Sequence, residues 1–147
     1  LGLLAQKMVR GKAVLLCALG RAAGIPTALV VSDLRDHTLP APLVAALKTD
    51  VLHHHGLNAF HLDGRWLRVD ATLSPELVSR RGFRIVPFDG RGEALLASTT
   101  LAGEPHVEYL AFHGQFADFS MERLLQSFAK GYAQSDMASL GKIVSRM

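Results

Sequence analysis

Two alternating runs, Leu57–Leu62 and Arg65–Ala71, are separated by the pair Asp63-Gly64. A two-residue type I′ connection needs positive φ at both positions, which Asp-Gly tolerates well, so the runs are predicted to form an antiparallel hairpin with Leu62 opposite Arg65. That register sorts the side chains, because a slip of one residue would move all of them to the other face. Phe60, Leu62, Leu67, Val69 and Ala71 share one face, the expected core, while His55, His61, Trp66, Arg68 and Asp70 share the other. Asp70 then lies opposite Leu57 and diagonal to His55, a backbone separation of roughly 7 to 8 Å that side chains bridge. A His–Asp pair is geometrically available.

Around the hairpin the patterns are mostly local and short. Residues 3–23 repeat apolar side chains at helical spacing, with Leu4, Met8, Val9, Ala13, Leu16, Cys17 and Leu19 available for burial, and Gly24 and Pro26 supply the stop. PTALVVSD reads as a central strand, followed by a charged loop, DLRDH (Asp33 to His37), and a short helix from about Pro40 to Lys48. His53, His54 and His55 on an extended strand alternate, leaving His53 and His55 on one side with His61. Ser74-Pro-Glu caps a short helix that Gly82 ends. RIVPFDG (Arg84 to Gly90) and HVEYLAFHG (His106 to Gly114) are further strand candidates, and 120–132 and 136–146 carry helical spacing. The expectation is one α+β domain over residues 1–147, a buried N-terminal helix packed on an antiparallel sheet.

Composition narrows the function classes. A chain of 147 residues with 49% hydrophobic content is long enough to bury one core. Its apolar stretches are too short and too interrupted to cross a bilayer, so no membrane association is expected. The net charge of +3 is modest, and the Arg80, Arg81 and Arg84 cluster lacks interleaved aromatics, which argues against nucleic acid. One cysteine excludes an intramolecular disulfide and points to the cytoplasm. Oligomeric state is left open by the sequence.

Chemistry enters through Cys, His and Asp. A cysteine nucleophile needs its thiolate stabilised by an imidazole or a helix N-terminus, and a third group to hold that imidazole in one tautomer. All three residue types are present, and their positions matter more than their presence. GKAVLLCALGRAAGIPTALVV (Gly11 to Val31) and HHHGLNAFHLDGRWLRVDAT (His53 to Thr72) resemble the core of transglutaminase-like cysteine enzymes, which share the papain-like cysteine protease fold. RAAGIP resembles the end of the family's buried helix, and LDGRW its hairpin turn. DLRDH, PFDG (Pro87 to Gly90) and VEYL (Val107 to Leu110) extend the resemblance more weakly, and the chain is most similar to bacterial stand-alone members.

By this resemblance the family's histidine falls on His55 and its aspartate on Asp70. Its nucleophilic cysteine, at the start of the helix, falls on Val9. Cys17, eight residues on, is about 12 Å along the axis and roughly 80° around it, too far to substitute, and reads as a buried structural thiol. The family has a segment before this helix, so a chain opening at Leu1 is expected to lack an upstream portion.

The expected function is a catalytically impaired transglutaminase-like domain, a pseudoenzyme that retains the His55–Asp70 pair and a cleft for peptide or amide-containing ligands, with no cofactor. Trp66, Asp33, Arg35 and His37 are candidates for the cleft wall and rim, with a loop ion-pair network as the alternative for the last three. An active cysteine amidase, peptidase or acyl transferase is a second reading. A metal-binding module using His53, His55 and His61 is a third, although the sequence assigns no metal ligand set.

Overall fold

The computed structural model describes residues 2–118, 120, 122, 126 and 129–145, with side chains from Gly11 to Ile143 among them. The chain runs α1 (Gly2–Ala22), β1 (Thr27–Asp36), α2 (Ala41–Leu47), β2 (Val51–Leu62), β3 (Arg65–Val69), α3 (Pro75–Arg81), β4 (Val107–Phe116) and α4 (Met137–Ser145). It is an α+β fold: the strands form one antiparallel sheet in the order β3-β2-β1-β4, and α1 packs on it. Among the described residues no helix is long and apolar enough to cross a membrane.

The hairpin forms in the predicted register, Leu62 facing Arg65 and Asn58 facing Val69. Asp63 and Gly64 both have positive φ, 48° and 76°, as a primed turn requires. Phe60 and Val69 of the predicted core face pack with Ala94, Leu16 and Ile25. By strand alternation Leu57 and Ala59 point the other way, yet they are buried too, with Val30 and Leu95. The segment around Ala94 runs along the edge of β3, where Ala94 N donates to Arg68 O and Asp70 N donates to Ala94 O, each 2.9 Å, and its Leu95 packs on that face.

α1 ends as its sequence dictates, with Gly24 at φ 78° and Ile25 N donating back to Gly20 O at 2.9 Å. Among its described side chains, from Gly11 onward, Ala13, Cys17 and Gly20 face the sheet, while Val14, Leu15 and Leu19 are exposed. Leu19, a candidate for burial by pattern, therefore lies outside the core. Gly20 sets the distance between helix and sheet. A Cβ there would stand 2.8 Å from the Phe60 ring and closer still to Thr27 Oγ1. Gly20→Ala should lower stability by about 1 to 3 kcal/mol in urea unfolding, as overpacked interiors do, and an unchanged midpoint would mean that α1 can move outward freely.

Several sequence expectations are corrected. The helix predicted over residues 3–23 forms as Gly2–Ala22, so position 9, which the resemblance alone puts at a helix start, lies well inside it; Leu, Ala, Gln, Lys and Met in positions 3–8 are good helix formers and carry it upstream. DLRDH is not a loop: β1 continues through Asp36, paired with β2 on one side and β4 on the other. Arg84 to Gly90 is not a strand. Its residues 84–89 are exposed, Pro87 cannot donate to a ladder, and the neighbouring edge of β3 is taken by Ala94. The alternation placing His53 beside His55 fails at a bulge, where His54 takes φ 57° and β2 uses one residue more than β1 between the Ser32–His55 and Leu34–Leu52 pairs.

The caps of α2 and α3 agree closely with the sequence. Pro40 and a left-handed Lys48 bound α2, and the Ser74 side chain accepts from Leu77 N at 3.3 Å before Gly82 closes α3. α4 falls within the predicted 136–146 and packs with α2 through Leu140, Leu43, Ala46, Leu47 and Tyr132. In the predicted helix over 120–132, positions 122, 126 and 129–131 are helical, while 121, 123–125, 127 and 128 lie outside the described residues.

Candidate active site

His55 sits on β2 opposite Ser32, and Asp70 follows the last residue of β3. The register places them diagonally, and the side chains close the gap: His55 Nε2 lies 2.6 Å from Asp70 Oδ2, with 6% of the His55 side chain and none of the Asp70 side chain exposed. Asp70 is thus a fully buried carboxylate, which requires partners. It has four. Besides His55, Thr72 donates to Oδ1 from its hydroxyl at 2.6 Å and its backbone N–H at 3.2 Å, and the Tyr109 phenol donates to Oδ2 at 2.6 Å.

These contacts settle the charge. Burial pushes the Asp70 carboxyl up, but His55, Thr72 and Tyr109 together hold it below the usual carboxylate range. Burial, reinforced by the Asp70 charge, pushes the Tyr109 phenol well above its usual range, so Tyr109 remains a donor. An ionised carboxylate accepts only. Whenever His55 is in its neutral form, the network therefore assigns its proton to Nε2 and its lone pair to Nδ1. A base held in that tautomer can take a proton from a nucleophile placed beside Nδ1.

α1 is tethered to this hairpin at two points. Asn58 Nδ2 donates to Ala13 O at 2.8 Å, and Lys12 Nζ donates to Thr72 O at 2.9 Å. One tether is three residues from His55; the other holds the threonine that caps Asp70. Position 9 is one turn before Ala13, about 6 Å further along the helix axis.

Cys17 is elsewhere. Its thiol is buried and donates to Thr27 O at 3.5 Å. Thr27 pairs with Phe60, whereas Ser32 pairs with His55, and five residues of strand span roughly 17 Å. Cys17 and His55 are not brought together.

Nor are the candidate rim residues gathered at the pair. Trp66 is half exposed, stands against His61 with ring centroids 5.1 Å apart, and lies four strand residues, roughly 13 Å, from Asp70. Arg35 bridges Asp50 at 3.3 Å and Glu108 at 3.0 Å across three strands, and His37 approaches Glu108 at 4.0 Å. Asp33 is bound by His53 Nδ1 at 3.1 Å, His54 N at 2.8 Å and His113 Nε2 at 3.0 Å. Burial would raise its carboxyl, and these bonds lower it below the ordinary range. Asp33 and Arg35 thus stand on β1 and not in a loop, Asp33 in one polar cluster with His53, His54 and His113, and Arg35 in another that His37, just past the strand, joins at Glu108.

His53 and His55 engage two different carboxylates. Among the described residues no group of three His, Cys, Asp or Glu side chains is gathered to hold a metal ion.

Sequence reasoning missed Tyr109 and Thr72. Thr72 had a local signal, since a hydroxyl two residues after an aspartate suits an Asx-type turn. Tyr109 was marked only as part of VEYL, with no role attached: it lies 39 residues from Asp70 on another strand.

Comparison with known proteins adds one finding. Residues 8–71 match the family model described as the transglutaminase-like superfamily. No curated protein and no solved structure matches the chain.

Proposed function

Since the chain carries a transglutaminase-like core over residues 8–71, we propose that it is a catalytically impaired member whose cleft binds a peptide or another amide-containing ligand. The observation that carries this reading is a base with no nucleophile. His55 and Asp70 are buried and bonded to each other, while the one thiol is tied to Thr27 O at the far end of β1. On the family's pattern the nucleophile position is Val9, whose side chain cannot form an acyl-enzyme. Because α1 begins at Gly2, position 9 also lacks the free backbone N–H groups that a helix start would aim at a thiolate or an oxyanion. In this reading residues 1–147 act as one domain, and the lone thiol suits a reducing cytoplasm.

The test has a catalytic arm and a binding arm. On iodoacetamide treatment at neutral pH, Cys17 should react at least tenfold more slowly than free cysteine, as a buried thiol does, with no change in His55→Ala. Rapid labelling of Cys17 that depends on His55 would instead support a working cysteine enzyme. For binding, glutamine-bearing peptides titrated into the 15N-labelled chain should move the signals of His55 and its neighbours. Shifts confined to the Arg35–Glu108 end of the sheet would overturn the ligand assignment.

A further inference from the structure

We propose that Tyr109 is a positioning residue for His55, acting through Asp70; this deepens the reading of His55 as a poised base and rests on it. The geometry begins with a shared atom. Tyr109 Oη and His55 Nε2 both lie 2.6 Å from Asp70 Oδ2, while Oδ1 is occupied by Thr72. The direction of the phenol proton follows from its other contact. Leu96 N donates to Tyr109 Oη at 3.2 Å, so the oxygen accepts from the backbone and its one proton is left for Asp70.

The ring itself is clamped. It stacks on Phe112 with centroids 5.5 Å apart and planes 11° apart, the Arg68 guanidinium sits 4.0 Å over the Phe112 ring, and Arg68 Nη2 is held by Glu93 at 2.9 Å. A carboxylate bound at Oδ1 by Thr72 alone could turn about its Cβ–Cγ bond and offer Oδ2 to His55 at a poorer angle. Tyr109 prevents that turn. Since Thr72 and Asp70 belong to the hairpin and Tyr109 to β4, the state of the base becomes conditional on β4 and the 94–96 segment being docked.

The role is read from the His55 tautomer, which loss of packing alone does not select. In the native chain of residues 1–147, at a pH where the imidazole is neutral, 15N spectra should show the His55 proton on Nε2. Tyr109→Phe keeps the ring and removes the hydroxyl; because hydrogen bonds to charged groups are strong, it should shift the tautomer ratio toward Nδ1–H by about tenfold. Tyr132→Phe is the control, since that phenol accepts from His53 N at 2.9 Å and does not touch Asp70; it should leave His55 unchanged.

An unaltered tautomer ratio in folded Tyr109→Phe overturns the role of Tyr109 while leaving the base reading intact. A native His55 protonated on Nδ1 overturns the base reading itself. Should Tyr109→Phe not fold, Thr72→Val serves as the second variant: with Tyr109 in place it should keep the Nε2–H form, and a switch to Nδ1–H there would assign the positioning to Thr72 and overturn the proposal.

Discussion

Val9→Cys should give a thiol that iodoacetamide alkylates at neutral pH about tenfold faster than an ordinary exposed cysteine, and the gain should vanish in Val9→Cys/His55→Ala. An unperturbed thiol is only a few per cent ionised at pH 7, with a pKa near 8.5, whereas one paired with an imidazole is mostly thiolate. The lower basicity of such a thiolate takes back part of the gain, so the net rate rises by about one order of magnitude. The tethers of α1 to Asn58 and Thr72 are the reason to expect His55 within reach. Helix-terminus stabilisation should contribute little, since it falls off within the first turn and α1 starts at Gly2. A thiol at position 9 with ordinary reactivity would show that the cleft between α1 and the hairpin does not form a nucleophile–base pair. Restored turnover of an amide substrate would show that one residue separates this chain from an enzyme.

Asp70→Ala should be among the most destabilising single substitutions, costing about 3 to 5 kcal/mol, as breaking buried charged networks does. Four donors lose their acceptor at once, and those of His55 and Tyr109 meet at a carboxylate with no exposed side-chain surface. Set against the roughly 5 to 15 kcal/mol that holds a domain folded, the loss should be plain in a urea midpoint. The sign with pH is definite. Asp70 has a folded pKa below its unfolded value, so its contribution is fully present above about pH 4 and is lost as pH falls through the lowered folded value. Asp33 acts in the same direction. The native chain should therefore lose stability on acidification below about pH 4, and Asp70→Ala should show a flatter profile there. A cost below about 1 kcal/mol, or parallel acid profiles, would mean that the carboxylate is not an ionised acceptor in the folded chain.

Much of the site is legible in the sequence, for a physical reason. Asp-Gly selects a primed turn, the turn sets a register, and strand alternation then puts His55 and Asp70 on one face. Each step depends only on neighbours in sequence or directly across a ladder. Thr72, Ser74, Gly24 and Gly82 act within two or three residues of where they stand, so the Asp70 turn, the α3 cap and both helix stops follow the same local logic.

Where local rules were silent or ambiguous, the path of the chain decided. The RIVPFDG segment has strand composition, but the edge it would need is occupied by Ala94. The three histidines alternate on paper, and the Asp33 carboxylate, by accepting from both His53 and His54, stabilises the bulge that separates His53 from His55. The sequence by itself determined the hairpin, its register, the caps and the pairing of His55 with Asp70. Only the tertiary structure decided that Tyr109 completes the carboxylate and that the Cys17 thiol is tied to Thr27 O, far from the base. The first set rests on dihedral preferences and period-two geometry, which a short stretch carries within itself. The second depends on which distant surfaces meet, and no short stretch contains that information.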